Sequence, residues 1–466
     1  MSSAPIPASV GVALDRDTHE LAGGRLVGGT PRRLLRLSAS GQLALAELRS
    51  GVVSSPSAGQ LARRLTDAGL AHPRPGTHVG TRDVTVVVPV RDRHEQLARC
   101  LRSLAGATCV VVDDGSSDPA LIADLAGQYG ARLVRRASAG GPSAARNDGI
   151  AGVETDLVAF LDSDCVASTG WLDRLAGHFA DPLVGAVAPR VLPASRGTSR
   201  RYRDAVGLHD LGSREARVRP LGRVGFVPTA ALVVRRAALA AIGGFDSALR
   251  YGEDVDLVWR LDEAGWRVRY DPAVEIAHDE PAGWAGRLAR RFRYGTAAAP
   301  LAKRHPDVAG HLVVAPWPLA AVAGTLAGRP VVAAAAGAVT LRTTRRALAR
   351  AGAKELSATG QAASALAGTW RGVSRYCAQF GVPLIAVAAW RSGSRQRAAL
   401  AALVVAAPVA DWFTSRPGVG VGRYVAGRVA DDAAYGVGVY AGCLEERTAA
   451  PLRVVRARRA GERGAR

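Results

Sequence analysis

Hydrophobic positions are arranged in three different ways along this chain. Between residues 84 and 162, short and almost continuously apolar runs alternate with stretches of helical periodicity. The runs at 84–90, 109–113, 132–135 and 157–162 predict strands; the stretches at 95–104, 119–129 and 143–151 predict helices. Strands without polar alternation are buried on both faces, so this region predicts an α/β fold with a parallel sheet covered by helices. Residues 1–78 form a smaller pattern, with strand-like runs at 25–27 and 34–37 and helices near 38–48 and 57–65. Ser38 and Ser57 are the expected N-caps, because a serine hydroxyl accepts from the free N–H groups of a first turn. The segment 71–77, with Pro73, Pro75 and Gly76, predicts a linker. Beyond about residue 285 the chain is rich in Ala, Val, Gly and Arg, with apolar tracts at 312–328, 331–341 and 398–410. None reaches the ~18–20 uncharged residues of a simple spanning helix, so interfacial or buried helices are expected. The expected organisation is a small module (1–78), an α/β domain (79–300) and a helical C-terminal region (301–466).

Chemistry enters where acidic residues follow the apolar runs. Asp113-Asp114-Gly115-Ser116 follows one strand, and Asp162-Ser163-Asp164 follows another. Ligands of open α/β sheets bind at the carboxyl ends of strands, so both acidic pairs are expected on one sheet edge. Asp113 or Asp114 suits a nucleobase or ribose, and Asp162 with Asp164 suits a hard divalent cation. Asp-Gly-Ser is also an ordinary turn signal. Between the pairs, Gly140-Gly141 opens a helix and lets backbone N–H groups approach a phosphate, with Arg146 as a further donor. No GxGxxG follows the first strand, which disfavours a dinucleotide oxidoreductase. Cys100, Cys109, Cys165, Cys377 and Cys443 are widely spaced and form no CxxC, which argues against a disulfide framework and a structural zinc site. No basic stretch followed by a long apolar run opens the chain, so a cytoplasmic protein is expected.

The 466 residues are 48% hydrophobic and 22% charged, enough for two or three packed domains and incompatible with global disorder. The net charge of +21 is unevenly placed. Residues 1–280 carry 34 arginines against 32 acidic groups, a net of +2, whereas 281–466 carry 27 basic and 8 acidic residues, a net of +19. Nucleic-acid binders pair basic grooves with stacking aromatics. Here arginines alternate with apolar tracts, a pattern closer to an anionic membrane surface such as the cytoplasmic leaflet.

Four segments then resemble glycosyltransferase family 2 in matching order. They are Val86-Val87-Val88-Pro89-Val90-Arg91-Asp92-Arg93, Val112-Asp113-Asp114-Gly115-Ser116, Ala145-Arg146-Asn147-Asp148-Gly149 and Phe160-Leu161-Asp162-Ser163-Asp164. Gly243-Gly244-Phe245-Asp246 and Gly252-Glu253-Asp254-Val255-Asp256-Leu257 continue the series. The resemblance implies a GT-A nucleotide-diphospho-sugar transferase fold and an inverting, metal-dependent transfer from a UDP-sugar. Pro89, Arg91, Asp113, Asp114, Arg146 and Asp162 would bind the nucleotide-sugar. Asp162 and Asp164 would hold Mg2+ or Mn2+, with His278 either completing the metal shell or serving the structure. Asp254, beside Glu253, would be the general base, or the two acids would simply cap a helix. Arg290-Arg291-Phe292-Arg293-Tyr294-Gly295 loosely resembles the Gln-x-x-Arg-Trp element of processive members, with Arg290 for Gln and Tyr294 for Trp. Arg293 and Tyr294 would contact acceptor or diphosphate.

A narrower resemblance, carried by the N-terminal module, Arg293-Tyr294-Gly295 and Pro300-Leu301-Ala302-Lys303-Arg304-His305-Pro306, is to the mycofactocin-biosynthesis branch of that family. It implies an actinobacterial enzyme building a β-1,4-linked chain from UDP-glucose on a peptide-derived redox cofactor or its precursor. The N-terminal module would then be a winged-helix-like peptide-recognition element, or a stabilising appendage. Two alternatives stand: a family 2 enzyme acting on a polysaccharide or lipid acceptor, and a non-catalytic nucleotide-sugar-binding protein, which has no need of a base at Asp254.

Overall fold

The computed structural model describes residues 4–8, 10–76, 83–195, 202–281, 283–308, 312–353, 355–391 and 393–456. The chain divides into two compact units, residues 1–199 with 206–280, and residues 200–205 with 281–466. The expected division at residue 300 therefore falls inside the second unit.

The first unit begins with strands β1 (Val10–Leu14), β2 (His19–Leu21), β3 (Arg25–Gly28) and β4 (Arg33–Arg36), followed by helices α1 (Ala39–Leu48) and α2 (Pro56–Ala68) and strand β5 (Ala71–Pro75). Ser38 caps α1 by accepting from the Gly41 N–H at 3.2 Å. The cap of α2 is Ser55 rather than Ser57: Pro56 takes the first helical position, where its missing N–H costs nothing, and Ser55 accepts from the Ala58 N–H at 3.2 Å. The expected linker is a strand over most of its length. β5 pairs antiparallel with β1 from Ala71 to Pro75, and Thr77 and the boundary at 78 lie outside the described residues. The prolines tolerate this place because β5 has a partner on one side only. Several ion pairs fix the module to the rest of the unit, among them Arg74–Glu215, Asp15–Arg223 and the two that follow. Buried Arg63 on α2 forms a bidentate pair with Asp181 (2.8 and 2.6 Å), and Asp67 pairs with Arg267 (2.9 and 2.8 Å).

The larger sheet takes β6 (Val84–Val90), β7 (Thr108–Asp113), β8 (Arg132–Arg135), β9 (Leu157–Leu161), β10 (Cys165–Ala167), β11 (Val184–Pro193), β12 (Ala216–Val218), β13 (Ala231–Arg235) and β14 (Arg267–His278). Helices α3 (His94–Ser103), α4 (Pro119–Gln128), α5 (Gly141–Ile150) and α6 (Trp171–Ala176) intervene, and the helical turn α7 (Tyr202–Ala205) belongs to the second unit. Helices α8 (Arg236–Ile242) and α9 (Glu253–Glu263) follow β13. Among the described residues the strand order is β10-β14-β11-β13-β9-β6-β7-β8, with β12 added alongside β14. β8, β7, β6 and β9 are mutually parallel, as the βαβ pattern predicts. The sheet as a whole is mixed, because β13 lies antiparallel between β9 and β11. Continuous apolarity reported burial on two faces, and β13 is buried in the same way while running in the opposite direction. Separate hydrophobic cores lie on the two faces of this sheet.

The second unit is helical: α10 (Gly283–Thr296), α11 (Ala298–Arg304), α12 (Pro316–Leu326), α13 (Pro330–Arg350), α14 (Ala358–Tyr376), α15 (Val382–Trp390), α16 (Ser394–Ser415) and α17 (Val421–Glu445), with a short parallel pair β15 (Leu312–Val314) and β16 (Val454–Arg456). The tract from 312 thus opens as a strand rather than a helix. Helices α10 and α17 touch backbone to backbone: a Cβ on Gly438 would meet the Phe292 carbonyl oxygen at 2.0 Å. Beside that crossing, buried Arg287 forks onto Asp431 (2.9 and 2.7 Å), which also accepts from the Tyr202 hydroxyl at 2.8 Å. Part of the basic tail is therefore internal glue. The 20-residue stretch Gln396–Ser415, with mean hydropathy 1.6 and 17% of it buried, is long and apolar enough to cross a membrane.

Candidate active site

Strand register brings the acidic pairs together. Val90 pairs with Asp113 across β6 and β7, and Val87 pairs with Phe160 across β6 and β9. β7 and β9 flank β6 and end at Asp113 and Leu161, so the acids of both pairs emerge on the same carboxyl edge. Pro89 and exposed Arg91 end β6 on the same edge. Next to them Asp92 holds φ +56°, a left-handed conformation uncommon outside glycine. Its carboxylate accepts from the Ser117 N–H and hydroxyl, both at 2.7 Å, and its own N–H donates to the Ser116 hydroxyl at 2.9 Å. The turn after β7 is thereby tied to the turn after β6.

Asp113 and Asp114 are both engaged within the protein. Asp113 is fully buried, accepts from the Ser116 N–H at 2.9 Å and pairs with Arg135. Asp114 accepts from the N–H groups of Gly140 and Gly141, each at 2.8 Å, and pairs with Arg136 at 2.8 Å. This corrects the expectation for the glycine pair: the two N–H groups face a carboxylate of the protein and not an open phosphate cradle. Asp114 acts there as the anion that a helix N-terminus favours.

The other acidic residues converge on Arg146. Its guanidinium, 2% exposed, donates to Asp162 at 2.7 Å and to Glu253 at 3.2 Å, and lies 5.5 Å from the centre of the Phe245 ring. One side chain on α5 thus joins the end of β9 to the start of α9. Burial alone would raise the Asp162 carboxyl, but the charge and hydrogen bond of Arg146, with His278 and His209 behind it, hold it below the ordinary range. Asp254 is moved the opposite way. Burial first, then the charge of Glu253, raise its carboxyl to about 7, offset only in part by the Val255 N–H and Arg146. Its bond to the Val255 N–H (2.8 Å) shows that it also serves the first turn of α9. Two carboxylates that both feel the charge of Arg146 are therefore held in opposite protonation tendencies, which is how acid–base pairs are set up. Asn147, next to Arg146, grips the Gly243-Gly244-Phe245 turn by donating to the Phe245 carbonyl (2.8 Å) and accepting its N–H (3.0 Å).

Asp164 meets His278 because β10 pairs antiparallel with β14 in the register Cys165 to His278. The His278 Nε2 is 3.7 Å from Asp164 Oδ1, and its Nδ1 is 3.9 Å from Glu280 Oε1. His209 packs edge-on against the His278 ring at 4.6 Å. Asp164 also pairs with Arg93. Buried carboxylates and imidazoles at this spacing form a donor set that fits a divalent cation. Arg293 and Tyr294 belong to α10 in the second unit, with Arg293 exposed. The motif reading missed Arg93, Asn147, His209 and Glu280. Arg93 and Asn147 sat inside quoted motifs, but nothing in the sequence marks His209, which reaches the site only through the folded loop.

A family model for glycosyl transferase family 2 matches residues 85–243. Pre-mycofactocin glycosyltransferase of Mycobacterium tuberculosis is 40% identical over 474 residues, covering 97% of this chain and 99% of its own. The chain belongs to glycosyltransferase family 2. The mixed sheet is accordingly a GT-A fold, and the protein is a glycosyltransferase. Glycosyltransferase AglE of Haloferax volcanii is 28% identical over 229 residues, 46% of this chain and 71% of that one. Among solved structures, mannosyltransferase PcManGT of Pyrobaculum calidifontis, in complex with GDP-Man and Mn2+, aligns at TM-score 0.39 and 20% identity, covering 72% of this chain and 89% of its own.

Proposed function

We propose that this enzyme transfers glucose from UDP-glucose, with inversion, to a peptide-derived redox-cofactor precursor of the mycofactocin type, extending a β-1,4-linked chain. The observation that carries the chemistry is the Arg146 bridge, whose guanidinium bonds Asp162 and Glu253 and holds Asp162 low, while Asp254, next to Glu253, is raised to about 7. The match to the mycobacterial relative over nearly the full length of both chains supports the acceptor class.

The donor nucleoside lies along the edge of Pro89, Arg91 and the Asp113–Ser116 turn in this reading. Asp162, Asp164 and His278 would hold Mg2+ or Mn2+, which would supply positive charge to offset the negative charge developing on the leaving diphosphate. Asp254 accepts the proton of the acceptor hydroxyl as its oxygen bonds to the anomeric carbon. The bond from that carbon to the β-phosphate oxygen breaks, with the electron pair leaving on UDP. Glu253, held by Arg146, keeps Asp254 basic. Arg293 and Tyr294 on α10 are assigned to the acceptor or diphosphate. Comparing UDP-glucose with other UDP-sugars and with GDP-mannose tests the donor; turnover restricted to a non-UDP donor would sink the assignment.

The acceptor's peptide portion is assigned to a cavity of about 670 Å³ within the first unit, lined by Asp15, Arg16 and Arg74 of the N-terminal module and Arg214, Glu215 and Asp271 of the sheet region. Deleting the module would strand buried Asp181, so a point variant is the cleaner probe. Arg16→Glu is expected to raise KM for the peptide-derived acceptor by about tenfold, a loss near 1.4 kcal/mol, with kcat retained. An unchanged KM would leave the module as a stabilising appendage.

Membrane-surface association is the further part of this reading. In the second unit, Val331 (80% exposed), Trp390 (81%) and Phe413 (62%) stand among arginines. Binding to anionic vesicles, reversed by high salt, is the expected result; salt-insensitive retention that needs detergent would point to insertion instead.

A further inference from the structure

His209 lies in the loop between α7 and β12, and the loop is anchored on both sides of it. The Leu208 N–H donates to Glu280 Oε1 at 3.0 Å. Asp210 takes a bidentate bond from Arg190 at 2.7 and 2.9 Å and accepts the Gly212 N–H at 2.9 Å. The ring between these anchors is thereby fixed at 4.6 Å from that of His278, nearly perpendicular to it at 78°. Donor atoms of His209, His278 and Glu280 all lie within 4.8 Å of one another. The last residue of β14, His278, is 2% exposed and stands 3.7 Å from Asp164 Oδ1, so this group adjoins the carboxylates assigned above to the cation.

We infer that His209 is a second nitrogen donor of the cation site, with Glu280 as the carboxylate that positions both imidazoles, and that the pair makes the site select Mn2+ over Mg2+. The inference rests on the reading of Asp164 and His278 as cation ligands. Mg2+ demands near-ideal octahedral oxygen coordination and gives up water reluctantly. Imidazole nitrogen suits later first-row cations, and Mn2+ tolerates a mixed oxygen–nitrogen shell better than Mg2+ does. Glu280 resembles the outer carboxylates that fix ring orientation at metal-bound histidines, since it reaches His278 Nδ1 at 3.9 Å while holding the backbone before His209.

The test uses the full chain and the metal alone. Isothermal titration with Mn2+ and with Mg2+ is compared for the wild type, His209→Ala and Asp164→Ala, with melting temperature as the folding control. The wild type is expected to bind Mn2+ at least about tenfold more tightly than Mg2+. His209→Ala should lose about 10- to 100-fold of the Mn2+ affinity while Mg2+ binding stays within about twofold. Asp164→Ala should weaken both. Electron spin-echo modulation of the Mn2+-loaded wild type, which depends on no variant, should report two directly bound nitrogens. One nitrogen or none, or an unchanged Mn2+ affinity in His209→Ala beside a weakened Asp164→Ala, overturns the role of His209. An unchanged affinity in Asp164→Ala overturns it together with the carboxylate reading beneath it.

Discussion

Asp254→Asn is expected to slow glycosyl transfer by about 10²–10⁴-fold, the usual contribution of a positioned general base, with donor affinity close to that of the wild type. The same substitution should stabilise the fold at alkaline pH. In the unfolded chain the carboxyl titrates near 3.8, and in the folded protein at about 7. Between those values the folded state binds more protons, so stability falls as pH rises from about 4 to about 7. The full displacement is worth up to ~4 kcal/mol, an upper bound because part of the side chain meets solvent. Asparagine removes this cost. The variant should therefore melt above the wild type at pH 8, with the difference vanishing towards pH 4. Wild-type transfer, in turn, should rise with pH through about 7 as Asp254 ionises. Undiminished turnover in Asp254→Asn, or a wild-type rate flat across that range, would remove it as the base.

Arg146→Met carries the second large effect. The guanidinium is the shared partner of Asp162 and Glu253, and substitution leaves both carboxylates crowded at the same site without their cation. Breaking a buried pair in this way costs about 3–5 kcal/mol, more than its formation contributes, because the stranded charges remain. Transfer should be lost as well, since Asp162 rises towards protonation and α9 loses its tie to the sheet edge. Arg146→Lys separates the two roles. One ammonium restores part of the charge but does not span both carboxylates, so stability should recover further than activity. Denaturant unfolding beside a transfer assay reads both. A methionine variant as stable as the wild type would show that the bridge is incidental.

Much of this site was legible because it is built at strand ends. A run such as Cys109-Val110-Val111-Val112 announces a doubly buried strand, and the acids that follow it must emerge at the carboxyl edge. What the sequence hid was what the acids do to one another. Asp114 and Gly140 are 26 residues apart, and only the fold turns a supposed phosphate loop into a capped helix start. Arg146 was legible as a donor to nucleotide, but its contacts lie 16 and 107 residues away. Direction was less legible than burial: Leu232 and Val233 read as core whichever way β13 runs. The caps show the same limit at short range. Ser55 and Ser57 are equally good cap residues, and Pro56 decides between them.

The basic tail also changes character. Its net +19 was expected as a surface property, yet Arg287 is buried on Asp431 and Arg291 lies over the Tyr435 ring. The charge available for an anionic surface is smaller than the count implies.

The product itself is the most direct test of inverting transfer to the peptide-derived acceptor. Incubation with UDP-glucose, Mn2+ and the peptide-derived acceptor, followed by mass spectrometry and proton NMR of the new anomeric centre, should show one hexose added per UDP released, in the β configuration. An α-linked product would contradict displacement by a hydroxyl deprotonated at Asp254, and UDP release without any glycosylated acceptor would contradict the assigned acceptor.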